Sequence, residues 1–275
     1  MLYLSKFNPL FQALFAGIFT FILTVLGSAV VFLFRKTNKT MMDGMLATSS
    51  GIMLSASFFS LIIPAIESIS IFKLSAILTF ISFISGSLFL YFNNWFLEKF
   101  ISGNKYSLNK RNILLFLSIT MHNIPEGLVL GVAFGSAYYG SSTLAAAVLL
   151  TIGIAIQNFP EGSAISLPLK RDGLSNFKSF IFGALSGVVE PIAAVIGALL
   201  VLNIKTVLPL IMLFTAGAMI YVTIVELIPE SQKNKKEGLM ALLNILGFSF
   251  MMILELLLWW FFYYQLLIFI KVYPI

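Results

Sequence analysis

The chain reads as an all-α integral membrane protein, a single polytopic domain over residues 1–275 with eight transmembrane helices and both termini outside the cytoplasm. Three observations predict this. Hydrophobic residues make up 59% of the sequence and charged residues 10%, with a mean hydropathy of +1.00, which leaves too little polar surface to clothe a soluble globule of 275 residues. Apolar segments recur at close to the ~20 residues a helix needs to cross the hydrocarbon core. Basic residues gather in alternate connections, as the positive-inside rule requires of a multi-pass protein.

In order, the predicted spans run from Pro9 to Phe34, Met42 to Ile63, Leu74 to Leu97, Asn112 to Phe134, Thr143 to Leu169, Phe177 to Leu202, Val207 to Ile228 and Leu239 to Ile270. The start, MLYLSKFNPLFQALFAG, lacks a charged leader, a short apolar core and a small-residue cleavage site, so it reads as the approach to the first span. Arg35, Lys36 and Lys39 follow span 1; Lys99, Lys105, Lys110 and Arg111 follow span 3. Lys170, Arg171 and Lys178 follow span 5, and Lys233, Lys235 and Lys236 follow span 7. Only Lys6, Lys73, Lys205 and Lys271 fall on the other side, which places both termini outside. The net charge of +6 is therefore assigned to cytoplasmic loops, and no basic, aromatic-interleaved face points to nucleic acid. There are no cysteines, which excludes a disulfide framework and any thiolate metal site. The Ile, Phe, Lys and Asn bias and the absence of a targeting peptide point to a bacterial inner (plasma) membrane.

Spans 4 and 5 carry the chemistry. HNIPEG at His122 to Gly127 is repeated as QNFPEG at Gln157 to Gly162, with Asn, Pro and Glu at identical spacing. An ionisable side chain near the bilayer centre costs roughly 2.5 to 3.5 kcal/mol on insertion scales, so two of them beside two helix breakers suggest an ion pathway. His122 and Glu126 share a helix face at i and i+4, as do Gln157 and Glu161, while Asn123 and Asn158 lie three residues before the same glutamates. Pro125 and Pro160 each remove a backbone donor, freeing the carbonyls of Met121 and Ile156 and bending the helices. Gly127 and Gly162 are expected to let the two helices approach until their polar faces converge.

A third intramembrane carboxylate, Glu190, precedes Pro191 on span 6. Imidazole, carboxamides and three carboxylates suit a borderline divalent ion such as Zn²⁺, whereas Ca²⁺ favours all-oxygen sites and Cu(I) favours sulfur. Three glutamates with one or two divalent cations leave a residual charge of about one unit either way, and binding should release protons. Elsewhere, Glu226 is open between snorkelling and an exit-route role. Glu255 is a candidate interhelical hydrogen-bond partner. Met53, Phe58 and Phe59 read as packing or lipid-facing residues, with Met53 a candidate soft ligand at the entrance. Asp43, Glu98, Asp172 and Glu237 read as solvated loop charges.

These residues carry a resemblance. HNIPEG, the second xNxPEG, the Glu-Pro of span 6, GIMLSASFFSLIIPAIE and TAGAMIYVTIVELIPE together resemble the ZIP (Zrt-, Irt-like) divalent metal transporters, in particular their bacterial GufA-type branch. The resemblance covers most of the chain and implies two inverted three-helix halves around helices 4 and 5, with metal moving into the cytoplasm. It implies a first metal held by His122, Glu126, Gln157 and Glu161. A second would be held by Asn123, Glu126, Asn158, Glu161 and Glu190, with the glutamates bridging. Gln157 stands where many members have His, and Asn158 where some have Asp, so the sites are less nitrogen-rich and less negative than in those members. The loop from Glu98 to Arg111 lacks histidines frequent in relatives, which argues against metal sensing there.

The expected function is transport of a divalent transition metal, zinc first, with cadmium, iron and manganese as further substrates, and no catalytic cofactor. The partners are metal ions and the lipid bilayer, with a homodimer open beside the monomer. The rivals are a carboxylate-lined cation channel and an intramembrane metal-dependent hydrolase. The last lacks an HExxH arrangement, a second His and a serine paired with His122.

Overall fold

Each predicted span but the sixth becomes one helical rod in the computed structural model, which describes residues 7–33, 39–69, 75–102, 110–139, 143–201, 207–233 and 236–272. No strand occurs among the described residues. Helix α1 (Pro9–Ala29) starts with Pro at its first position, where the missing N–H costs nothing, and Asn8 Oδ1 caps it by accepting from Leu10 N at 2.9 Å. The second rod is α2 (Lys39–Ala56), a π-helical turn (Ser57–Ile62) and α3 (Ile63–Ile69). Then come α4 (Ser75–Ser102), α5 (Lys110–Tyr138) and α6 (Leu144–Arg171), which Thr143 caps by accepting from Ala146 N. Pro125, Pro160 and Pro168 lie inside α5 and α6, and both helices run on through them.

Span 6 differs from the single rod expected. It is divided into α7 (Asn176–Ser186) and α8 (Val189–Leu200), with Gly187 closing the first and Pro191 in the opening turn of the second. Glycine ends a helix readily and proline fits a first turn without loss of a hydrogen bond, so SGVVEP favours the break. The seventh rod is α9 (Val207–Val222), a π-helical turn (Thr223–Leu227) and α10 (Ile228–Ser231), and α11 (Glu237–Val272) is the eighth. Both π-helical turns run up to a proline, Pro64 and Pro229, whose absent N–H removes an i→i−4 bond and lets the ladder widen.

Among the described residues, seven of these rods are long and apolar enough to cross a membrane. The remaining rod, α5, carries His122, Asn123 and Glu126 within its length. Large apolar side chains such as Phe15, Phe80, Phe92, Trp95 and Phe250 are exposed on the outside of the bundle, where lipid solvates them at no cost. Of the basic residues used above for orientation, Lys6, Arg35, Lys36, Lys73, Lys105, Lys205 and Lys235 lie outside the described residues.

The packing has an internal repeat. Helix α1 lies along α6 as α8 lies along α5; α2 meets α6 as α9 meets α5; and α2 pairs with α11 as α9 pairs with α4. Each of the long pairings is closed by reciprocal glycines. Gly27 abuts the carbonyl of Phe159 and Gly162 that of Thr24; Gly131 and Gly197 meet Ala194 and Leu128. Gly51 and Gly247 meet Asn244 and Thr48, and Gly86 and Gly217 meet Phe214 and Phe83. A Cβ at any of these positions would overlap backbone of the neighbouring helix, so the four crossings admit no larger residue without separation of the helices.

Candidate metal centre

The two repeated segments fall on facing stretches of α5 and α6, and the break between α7 and α8 aims Glu190 at them. Helical spacing puts His122 and Glu126 on one face of α5 and Gln157 and Glu161 on one face of α6. His122, Asn123, Glu126, Gln157, Asn158, Glu161 and Glu190 are all fully buried. All seven converge.

They form two joined layers. In one, His122 Nε2 lies 2.7 Å from Glu161 Oε1, and Gln157 Nε2 donates to Glu126 Oε1 at 2.6 Å. Ligand atoms of His122, Glu126 and Glu161 lie within 4.8 Å of one another, a spacing that one metal ion can span. In the other layer, Asn158 Nδ2 donates to Glu190 Oε2 at 2.7 Å and Asn123 Nδ2 to Glu190 Oε1 at 3.3 Å. Glu190 occupies the first turn of α8, where the positive end of the helix dipole favours a negative side chain.

The two glycines act differently from expectation. Gly127 abuts the backbone of Glu190 on α8 and Gly162 that of Thr24 on α1. The glycine of each repeat thus brings in a third helix instead of closing α5 onto α6. This is how Glu190 reaches the cluster from one side and Thr24 from the other, with Thr24 Oγ1 3.4 Å from Glu190 Oε1.

Other participants were not singled out from sequence. Thr24 belongs to a buried polar stripe, Thr20, Thr24 and Ser28, whose i, i+4 spacing on α1 is legible once sought. Met219 Sδ lies 3.8 Å from Gln157 Nε2, and Thr215 Oγ1 donates to the carbonyl of Pro125 at 3.1 Å. Asp43 corrects the expectation of a solvated charge: it is fully buried and paired with Arg171 Nη1 at 3.4 Å, because α2 carries it under the end of α6. Asp172 pairs with Arg171 Nε at 3.4 Å, Glu237 is exposed, and the side chain of Glu98 lies outside the described residues. Glu255 is a buried hydrogen-bond partner of Ser60 across helices, as expected. Glu226 accepts from Asn94 Nδ2 at 3.3 Å, and Met53 is buried in the core beside Leu46 and Leu90.

The donor balance defines the chemistry. Asn123 Oδ1, Glu126 Oε2, Gln157 Oε1, Asn158 Oδ1 and Glu161 Oε2 are buried oxygens with no hydrogen-bond donor from the protein. A buried acceptor left unpaired costs roughly 1–3 kcal/mol, and five in one cluster demand a compensating group. Among the described residues no Lys or Arg supplies it: the cluster's side-chain partners are amides, an imidazole and hydroxyls. The arrangement is therefore electrostatically matched to a cation and mismatched to an anion or an apolar ligand.

Comparison with known proteins agrees with this chemistry. Residues 102–255 match the family model for the ZIP zinc transporter. The chain is 32% identical to human zinc transporter ZIP11, over 92% of this chain and 98% of that protein. It is 31% identical to zinc transporter ZIPB of Bordetella bronchiseptica, over 88% of this chain and 80% of that protein, and 35% identical to zinc transporter GufA of Myxococcus xanthus over 44% of this chain and 46% of that one. With the repeated xNxPEG segments, the acceptor-lined cluster they build and relatives matched over nearly the whole chain, the protein belongs to the ZIP family.

Proposed function

We propose that this protein carries a divalent transition metal, zinc first and then cadmium, iron or manganese, across a membrane into the cytoplasm through a binuclear site near the bilayer midplane. The observation that carries the reading is the set of five buried, donor-free oxygens around His122, Glu126 and Glu161. His122, Glu126, Gln157 and Glu161 hold the first ion; Asn123, Glu126, Asn158, Glu161 and Glu190 hold the second, with Glu126 and Glu161 shared. In the structure the three amides present NH₂ to carboxylates. Rotation of each amide about its last bond exchanges N for O and presents the oxygens that lack donors.

The repeated pairings of α1–α6 with α8–α5, and of α2–α11 with α9–α4, support two three-helix halves in inverted relation, with α5 as the eighth span of one domain and both termini outside. Because the chain has no cysteine, single cysteines placed near Phe7 and at Gly238 can be labelled without background. Labelling at Phe7 from outside and at Gly238 only after permeabilisation is the expected pattern. Composition alone argues for a bacterial inner membrane, and relatives come from animals as well as bacteria. The homodimer rests on no contact within the chain.

The test is metal uptake by proteoliposomes. Flux that saturates at low metal concentration supports a carrier, and flux linear in concentration supports the channel. Peptide cleavage without flux would favour the hydrolase, but the single His122 is engaged by Glu161.

A further inference from the structure

Among the described residues, the sulfur in contact with the cluster comes from α9. Met219 is fully buried, and the same Gln157 Nε2 that donates to Glu126 Oε1 at 2.6 Å lies 3.8 Å from Met219 Sδ. One amide NH₂ group thus holds a carboxylate oxygen and a thioether together. If the Gln157 amide is turned over, its donor-free Oε1 takes that place, and three electron-pair donors face one point with no proton between them. Such a constellation suits a cation.

Methionine is also a common filler of irregular gaps, and the rest of the Met219 side chain does pack in the apolar core. Two observations argue for more than filling. The sulfur ends at the most polar spot in the bundle, where leucine would fill the same volume. The repeat-related helix also carries a buried methionine at the same interval, Met53 after Gly51 as Met219 after Gly217. With no cysteine in the chain, methionine is its one source of sulfur.

We infer that Met219 is a ligand of the first metal position, its thioether joining His122, Glu126, Gln157 and Glu161, and that it sets the preference of the site for softer divalent ions. This rests on the metal-site reading above. A thioether binds Cd²⁺ and Zn²⁺ in preference to Mn²⁺ and Mg²⁺, so Met219 offsets the nitrogen that Gln157 does not supply.

The test uses the full chain in detergent or nanodiscs, labelled with selenomethionine and loaded with Cd²⁺. Cadmium-edge X-ray absorption should show a cadmium–selenium shell in the parent protein. In Met219→Leu, which preserves volume, the shell should vanish while Cd²⁺ still binds, and the Cd²⁺-over-Mn²⁺ affinity ratio should fall by roughly five- to tenfold. A packing role would leave no cadmium–selenium shell to lose. Absence of the shell from loaded parent protein, its persistence in Met219→Leu, or an unchanged affinity ratio overturns the assignment of Met219 while the metal site stands. Failure of the parent to bind Cd²⁺, or binding that survives Glu126→Ala combined with Glu161→Ala, overturns the metal-site reading and this inference with it.

Discussion

Two groups of buried carboxylates gather against α6, one at its C-terminal end and one at its middle, and the protein treats them in opposite ways. At its C-terminal end, Arg171 reaches Glu230 Oε1 at 2.9 Å and Asp43 Oδ1 at 3.4 Å, and Lys233 lies 3.4 Å from Glu230 Oε2. Those acids are supplied with cations by the chain itself, and the pairs tie α2, α6 and α10 together. Around the middle of the same helix, Glu161 and its neighbours Glu126 and Glu190 receive amides, hydroxyls and one imidazole, and two of their oxygens receive nothing. Where the charge is structural, the sequence encodes the counter-ion. Where it is withheld, the counter-ion has to arrive from outside and be able to leave.

The contrast breaks most visibly at the shared glutamates. Glu126→Ala and Glu161→Ala should each reduce uptake by more than about 100-fold, since in the proposed scheme each removes a ligand from both ions, and Glu126→Gln should be nearly as damaging. Near-normal uptake by well-inserted protein carrying either alanine would end the shared-ligand scheme.

Glu190→Ala should act on one layer alone. Metal stoichiometry measured on purified protein should fall by about one ion, with the first ion still held by His122, Glu126, Gln157 and Glu161. An unchanged stoichiometry would show that the second position does not depend on Glu190.

Arg171→Met should behave in the reverse sense. It removes the cation shared by Asp43 and Glu230, with Lys233 still at Glu230, and should cost about 2 kcal/mol of stability, at or below the low end for a broken buried pair because Arg171 is 19% exposed. A thermal melt should show a loss of a few degrees. Metal stoichiometry should not change, and loss of bound metal in a folded Arg171→Met protein would erase the distinction between the two groups.

The smallest effect is expected from Gln157→His. It exchanges an amide for a nitrogen ligand, which should shift preference from Mn²⁺ towards Zn²⁺ by roughly tenfold and lower KM, with an unchanged or reduced maximal rate. Competition uptake with the two ions reads this directly.

The comparison also separates what could be read from the chain and what could not. The helical rods, the repeated segments on α5 and α6 and the seven polar side chains of the centre follow from local pattern, because apolar run length and i, i+4 spacing are properties of contiguous residues. Glu190 was legible for the same reason: a Glu-Pro in an apolar run is anomalous wherever it stands. The burial of Asp43 was not legible, since a charge at a helix end looks the same whether water or a distant arginine solvates it. Nor was Met219, whose sulfur is distinguished from other core methionines only by what α9 packs against.

What the sequence by itself determined is an all-helical membrane protein with carboxylates placed where lipid would not tolerate them unpaired. Only the tertiary structure decided which carboxylates receive a protein cation and which do not. Pairing depends on contacts between helices distant in the chain, such as Asp43 with Arg171 or Asn123 with Glu190. The second of these is set by a reciprocal glycine crossing, that of α5 with α8, where the closest approach of two backbones fixes which side chains can meet. The glycines are visible in the sequence, but their partners exist only once the helices have packed.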